Sequence, residues 1–374
     1  MVASPEDRQR IERLMRVADV LARMAALVEP VLPRQLQPAA ALGGTLGEDI
    51  VVATERPAAA LALIDGWAVR AEATTDASAY APAALAGAQP IDAGEAMPPG
   101  SDAVMPADGV AVRAGVAEAL APVAPGDGVL QQGADAGQRE VLRRAGQRLR
   151  ASDLAAMRAL GIGSARVRRP RLLIGRARTH RDPIADAAIA WLGQAIAADG
   201  GEPLTAVAGA QMPSLLSGAS ADGFVIVGGT GTGRDDHAVT TLARIGTVEV
   251  HGVALSPGET TAFGIANSRP ALLLPGRLDA AIAAWLVIGR GMLARLRGGS
   301  DEEHASTATL ARKVASTVGI TELVLVRRTA DGVLPLAAKY LPITSFGHAD
   351  GWILIPEASE GYPAGASVAV RPLP

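Results

Sequence analysis

The chain has 374 residues, enough for two or three domains of roughly 150 residues each. Basic and acidic side chains nearly cancel, 35 against 38, and aromatic residues make up 3 %, which argues against a phosphate-backbone or base-stacking surface and so against a nucleic-acid partner. No cysteine is present, which excludes disulfides, thiolate metal sites and thiol nucleophiles.

Ser4-Pro5-Glu6-Asp7 has the form of a helix start, with a serine cap, a proline in the first turn and acids behind it. Apolar residues at Ile11, Leu14, Met15, Ala18, Leu21, Ala22, Ala25 and Val28 extend it as a helical stripe, which Pro30 and Pro33 end. Asp49 to Ala53 reads as a short strand. From Ile64 to Val129 short apolar runs alternate with Gly and Pro, the pattern of a small β domain. Ser152 to Leu160 reads as a helix closed by Gly161 and Gly163.

At Arg171 the texture changes. The strand Arg171–Ile174, a helix over Ile184–Ala198, the strand Phe224–Val227, a helix over Asp236–Arg244, the strand Ala271–Leu274 and a helix over Asp279–Arg297 follow in turn. Strands alternating with helices predict a parallel sheet covered on both faces. Gly298 to Glu303 is the best linker candidate, and after it Glu322–Arg328, Val333–Ala337, Gly351–Pro356 and Ser367–Arg371 read as strands. No apolar stretch reaches the roughly 18 residues of a membrane span, and Met1 to Arg16 lacks an apolar signal core. A cytoplasmic protein with a small-molecule or protein partner is the expectation.

The strongest local signal is the run Gly228-Gly229-Thr230-Gly231-Thr232-Gly233 between a strand and a helix. Such a loop lets backbone amides approach an anion at a helix N-terminus, so it is either a phosphate cradle or a flexible turn. It is neither a dinucleotide fingerprint nor a P-loop. Asp236 stands where the helix begins, as a cap or as a metal- or phosphate-site residue.

With these residues the chain resembles the MoeA-type molybdopterin molybdotransferases, related to the gephyrin E domain. The likeness is an ordered series. Leu42-Gly43, Asp65-Gly66-Trp67-Ala68-Val69, Pro99-Gly100-Ser101-Asp102 and Gly133-Ala134-Asp135 come first. The Gly-rich loop, Ser256-Pro257-Gly258, Leu274-Pro275-Gly276, Ile343-Thr344-Ser345 and Ile355-Pro356-Glu357 follow. It implies a multi-domain α/β protein in four parts. These are a helical and β hinge domain over 1–50 and 138–170, a small β insertion over 51–137, a three-layer α/β molybdopterin-binding domain over 171–299, and a β-barrel-like domain over 304–374. It also implies a homodimer, adenylylated molybdopterin and molybdate as substrates, AMP as product, and Mg²⁺ as a helper. Carried over by position, Asp65, Asp135 and Asp186 become the catalytic candidates. The loop Gly228–Gly233, Asp236, Ser256, Pro275, Gly276 and Ser345 become the pterin-binding ones, with Asp186 and Asp236 as metal ligands.

The chain also departs from that family. Where Thr-Gly-Asp-Glu-Leu is usual it has Arg178-Thr179-His180-Arg181-Asp182, so arginines replace acids and Asp182 is at most a partial substitute. Arg277 replaces an asparagine after Pro275-Gly276. Lys-Pro-Gly-Lys becomes Ser256-Pro257-Gly258-Glu259, and only Lys313 and Lys339 are lysines in the whole chain. A carboxylate at Glu259 would oppose an oxyanion. A second reading therefore stands beside catalysis: a paralogue that binds molybdopterin or finished cofactor and passes it to a recipient molybdoenzyme, or assists an active paralogue. His180, His237 and His251 show no metal-ligand spacing and read as surface or helix-end residues.

Overall fold

The computed structural model describes residues 9–179, 182–206, 209–218, 220–299 and 305–374. The chain forms two compact units. One comprises Met1–Glu48, Ala145–Leu154 and Gly163–Pro374, the other Asp49–Arg144 and Ala155–Ile162.

The first helix of the larger unit is Val17–Leu27, shorter than the stripe predicts. Ser4 to Asp7 lie outside the described residues. Residues 9–16 are not helical: Met15 bridges in parallel to Val253, its amide donating to Gly252 O and its carbonyl accepting from Ala254 N. Ile11 and Leu14 pack beside Gly252 rather than continuing the helix. Their apolar spacing fits a helix, but their partners are distant in sequence, and tertiary pairing decides.

The central sheet has six strands in the order Glu202–Thr205, Arg171–Arg176, Gly223–Val227, Arg269–Leu274, Ala262–Ala266, Gly246–His251. The first four run parallel, whereas Ala262–Ala266 is antiparallel to both its neighbours. The wholly parallel sheet expected from the sequence is thus a mixed one. The hairpin responsible turns at Asn267 and Ser268, both at positive φ (49° and 61°), as the commonest two-residue hairpin turn requires.

Alternation along the strands fills both faces. Leu172, Ile174, Val225, Val227, Leu272 and Leu274 join Val20, Leu192, Trp285 and Met292 on one side. Phe224, Ile226, Ala271 and Leu273 join Leu216 and Leu242 on the other. The long helix near Asp279–Arg297 is α-helical over Leu278–Ala284 and Arg290–Arg297, with a π-turn over Trp285–Gly289 between. Helix Pro183–Ala198 begins with Asp182 as its cap, whose carboxylate accepts from Ile184 N and Ala185 N (3.0 and 3.3 Å). That use as a cap displaces any reading of Asp182 as a replacement metal acid.

The C-terminal sheet of this unit runs Leu255–Ser256, Thr321–Thr329, Gly351–Ile355, Ser367–Pro372, Ser306–Thr309, with Gly332–Ala337 also paired to Thr321–Thr329. Val324 and Val326 face one core, while Leu323 and Leu325 pack with Ile282 and Leu286 of the helix after Leu278.

The smaller unit is all short strands apart from brief helical turns. Gly66–Val69 lies between Gln89–Ile91 and Ala103–Pro106. The hairpin Val110–Arg113 to Val116–Ala119 turns at Ala114 and Gly115, again both at positive φ. Its core holds Val69, Leu85, Met105 and Ala119.

Candidate functional site

The site is built at the C-terminal ends of the parallel strands. Arg171–Arg176 has its sequence successor on one side and Gly223–Val227 on the other, so the winding reverses between them. Open α/β sheets leave a crevice at such a point.

Gly223–Val227 runs straight into the Gly-rich loop. Gly228 and Gly229 take positive φ (90° and 71°), and a Cβ on Gly229 would sit 2.9 Å from Ala177 Cβ. The loop carbonyls are held from behind. Gln9, only 5 % exposed, donates its side-chain amide to Gly229 O (2.8 Å) and Gly231 O, and its oxygen accepts from Val239 N (3.2 Å). His251 Nε2 lies 3.0 Å from Thr230 O, and Thr230 Oγ1 pairs with Thr260 Oγ1 at 2.9 Å. Among the described residues, the amides of Gly229, Thr230, Gly231 and Thr232 have no hydrogen-bond partner. Carbonyls anchored on one side leave the amides available to an anion on the other.

Asp236 is not in the helix that follows, which spans Ala238–Ile245 with His237 before it. Its carboxylate accepts from Gly233 N (2.9 Å) and from Arg178 Nη2 (2.8 Å). Asp236 is therefore not the cap of that helix: it clamps its own loop and an arginine. Arg176 pairs in the same manner with Asp186. Arg178 also lines a cavity of about 540 Å³ with Thr179, Met212, Asp235, His237 and Thr241. His180 and Arg181 lie outside the described residues.

The neighbouring strand Arg269–Leu274 ends at Pro275-Gly276, and Gly276 comes close to Gly228. Arg277 then holds Asp279, which is 4 % exposed, in a two-pronged ion pair (3.1 and 2.6 Å) and lies over the Tyr340 ring. The bonds to Asp279 raise the Arg277 pKa against the effect of burial, with Glu259 adding attraction. Glu259 itself accepts from Gly258 N (3.1 Å). Its negative charge therefore meets a cation instead of standing alone. Ser256 lies on the strand that joins the C-terminal sheet, and the same loop reaches the Gly-rich turn through Thr260.

Ser345 lies in the short helix Ile343–His348, and its amide bonds to Pro342 O. The C-terminal domain reaches the strand edge through Tyr340 and Leu341 instead, Leu341 N donating to Asp279 (3.2 Å). Asp65 and Asp135 belong to the smaller unit. Asp65 is exposed and accepts from Ala93 N (2.8 Å), while Asp135 sits in an exposed turn whose amide donates to Arg56 O.

A magnesium ion asks for near-octahedral oxygen ligands, usually one or two free carboxylates. The donor set here does not fit. Asp186 and Asp236 are each engaged by a guanidinium, and among the described residues no cluster of three or more acidic or histidine side chains is positioned to hold a metal.

Gln9 and Thr260 were not legible as site residues, and His251 reads from sequence as a surface histidine. Gln9 lies 220 residues from the loop it holds, and no local pattern announces that contact.

With this geometry in view, comparison with known proteins is specific. The MoeA N-terminal region (domain I and II) matches residues 15–161, and the molybdopterin binding domain matches residues 174–295. A solved molybdopterin biosynthesis MoeA protein from Pyrococcus horikosii is 26 % identical. It superposes with a TM-score of 0.74 over 96 % of this chain and 99 % of that one. A molybdenum cofactor biosynthesis protein from Pyrococcus furiosus shares the fold at a TM-score of 0.62 and 19 % identity, over 96 % of this chain and all of that one. A protein of Methanocaldococcus jannaschii named for molybdopterin biosynthesis is 35 % identical over 159 residues, 40 % of this chain and 36 % of that relative. The fold and site define a multi-domain α/β protein with a molybdopterin-binding domain. The chain belongs to the MoeA-type family of molybdenum cofactor biosynthesis proteins. Among the described residues, no helix is long and apolar enough to cross a membrane.

Proposed function

We propose that this chain binds adenylylated molybdopterin against the Gly228–Gly233 loop and inserts molybdate, releasing AMP. The observation that carries this reading is the loop itself: four amides without a partner among the described residues, carbonyls fixed by Gln9 and His251, and Arg178 beside them. Fixed donors stabilise an anion without reorganising when it arrives. Pro275-Gly276 and the Ser256–Thr260 loop complete the rim.

A second reading rests on charge. Arg176, Arg178 and Arg277 are each paired with an aspartate, and Glu259 adds one more negative charge at the rim. Arginines already balanced by aspartates attract a molybdate dianion weakly. That favours a paralogue which binds the pterin and hands it on without turnover.

Purified chain incubated with adenylylated molybdopterin and molybdate separates the two. AMP release with formation of active cofactor supports insertion. Pterin binding without AMP supports the carrier, and absence of binding overturns both. Asp236→Ala removes the clamp on Gly233 N and Arg178, so pterin affinity falls under either reading; unchanged affinity would remove Asp236 from the site.

A further inference from the structure

We propose that this site takes the phosphate of its ligand directly on Arg178, with no divalent cation between protein and phosphate. The inference rests on the pterin-binding reading above and concerns how the anion is held. Its ground is the pairing of side chains at the sheet edge. The two carboxylates carried over as metal ligands, Asp186 and Asp236, are each committed to an arginine, Arg176 and Arg178, and the exposed Asp235 at the cavity wall belongs to no cluster of three or more acids or histidines among the described residues. Bringing a divalent ion to either would require breaking an ion pair and placing the metal beside the freed guanidinium, which repels it.

The same arrangement suits a phosphate. A guanidinium carries five N–H donors in a planar fork that matches phosphate oxygens. Arg178 bonds Asp236 through Nη2, and its Nε is buried without a partner among the described residues. The side chain is 38 % exposed and lines the 540 Å³ cavity, so the exposed end of its fork, not the buried Nε, can face a ligand. Asp236 need not leave: it fixes the fork while the other donors act. The loop amides of Gly229 to Thr232 supply the second set of donors. The guanidinium and the amides together offer the phosphate oxygens hydrogen-bond donors in place of a metal.

The test is calorimetric titration of the full chain with AMP and with adenylylated molybdopterin, in EDTA and again with Mg²⁺ present. The expected result is the same affinity in both buffers. Arg178→Gln should weaken it about tenfold or more in each, the loss of a charge-assisted bond, with the melting temperature showing that the variant is folded. Asp236→Asn keeps an oxygen for Gly233 N while loosening the grip on Arg178, and should tighten binding in EDTA. Binding that disappears in EDTA, returns with Mg²⁺ and weakens in Asp236→Asn would overturn the inference and leave the proposed function standing. No binding in either buffer would overturn the proposed function and this inference with it.

Discussion

Gln9 illustrates what a single side chain contributes here. Its amide spans two loop carbonyls and one helix amide, all in a nearly water-free position. Each such bond contributes on the order of 1 kcal/mol, and a buried group left unpaired costs about 1–3 kcal/mol. Gln9→Ala should therefore lower stability by about 1–3 kcal/mol and weaken ligand binding, because the loop must then be ordered by the ligand. Gln9→Glu should be worse than alanine, since a carboxylate would face the carbonyls of Gly229 and Gly231. Equilibrium unfolding and ligand titration of the two variants check the order. Equal effects, or none on binding, would mean that Gln9 is only a packing residue.

Elements differ in how far their sequences announce them. Gly223–Val227, Arg269–Leu274 and Pro183–Ala198 were legible because apolar runs of the right length end in Gly, Pro or a capping Asp. The segment 9–16 was not, because its helical spacing is overruled by pairing with Val253 and the Gly-rich loop. The glycines of that loop were visible, while the side chains that orient them come from remote segments. The Trp285–Gly289 π-turn was equally hidden. A Cβ at Gly289 would lie 2.3 Å from the Trp285 ring, so the glycine permits the fully buried ring to lie against the helix. In an ordinary exposed helix Gly→Ala stabilises by about 1 kcal/mol. Here Gly289→Ala should instead destabilise by about 1–3 kcal/mol, as overpacked cores do. A rise in melting temperature would contradict this account of the turn.

At the scale of the molecule, each compact unit has its own apolar core: Phe224, Trp285 and Leu272 in the larger, Met105, Val69 and Leu85 in the smaller. The units also differ in how their chains are knit. The larger combines a mixed six-stranded sheet, helices and a C-terminal sheet with fully buried runs, and the smaller is built of strands of two to four residues. A unit with a separate core and little regular structure loses less on opening, so unfolding need not be all-or-none. Scanning calorimetry should resolve more than one transition, the weaker belonging to the smaller unit. Met105→Ala, at 1 % exposure, should cost about 2–5 kcal/mol and lower that transition alone; Phe224→Ala, at 0 %, should cost about 3–5 kcal/mol and lower the other. Pterin added before the scan should raise only the transition that Phe224→Ala lowers, because the Gly-rich loop and its arginines lie within the larger unit. A single transition moved by both substitutions would show instead that the cores unfold as one.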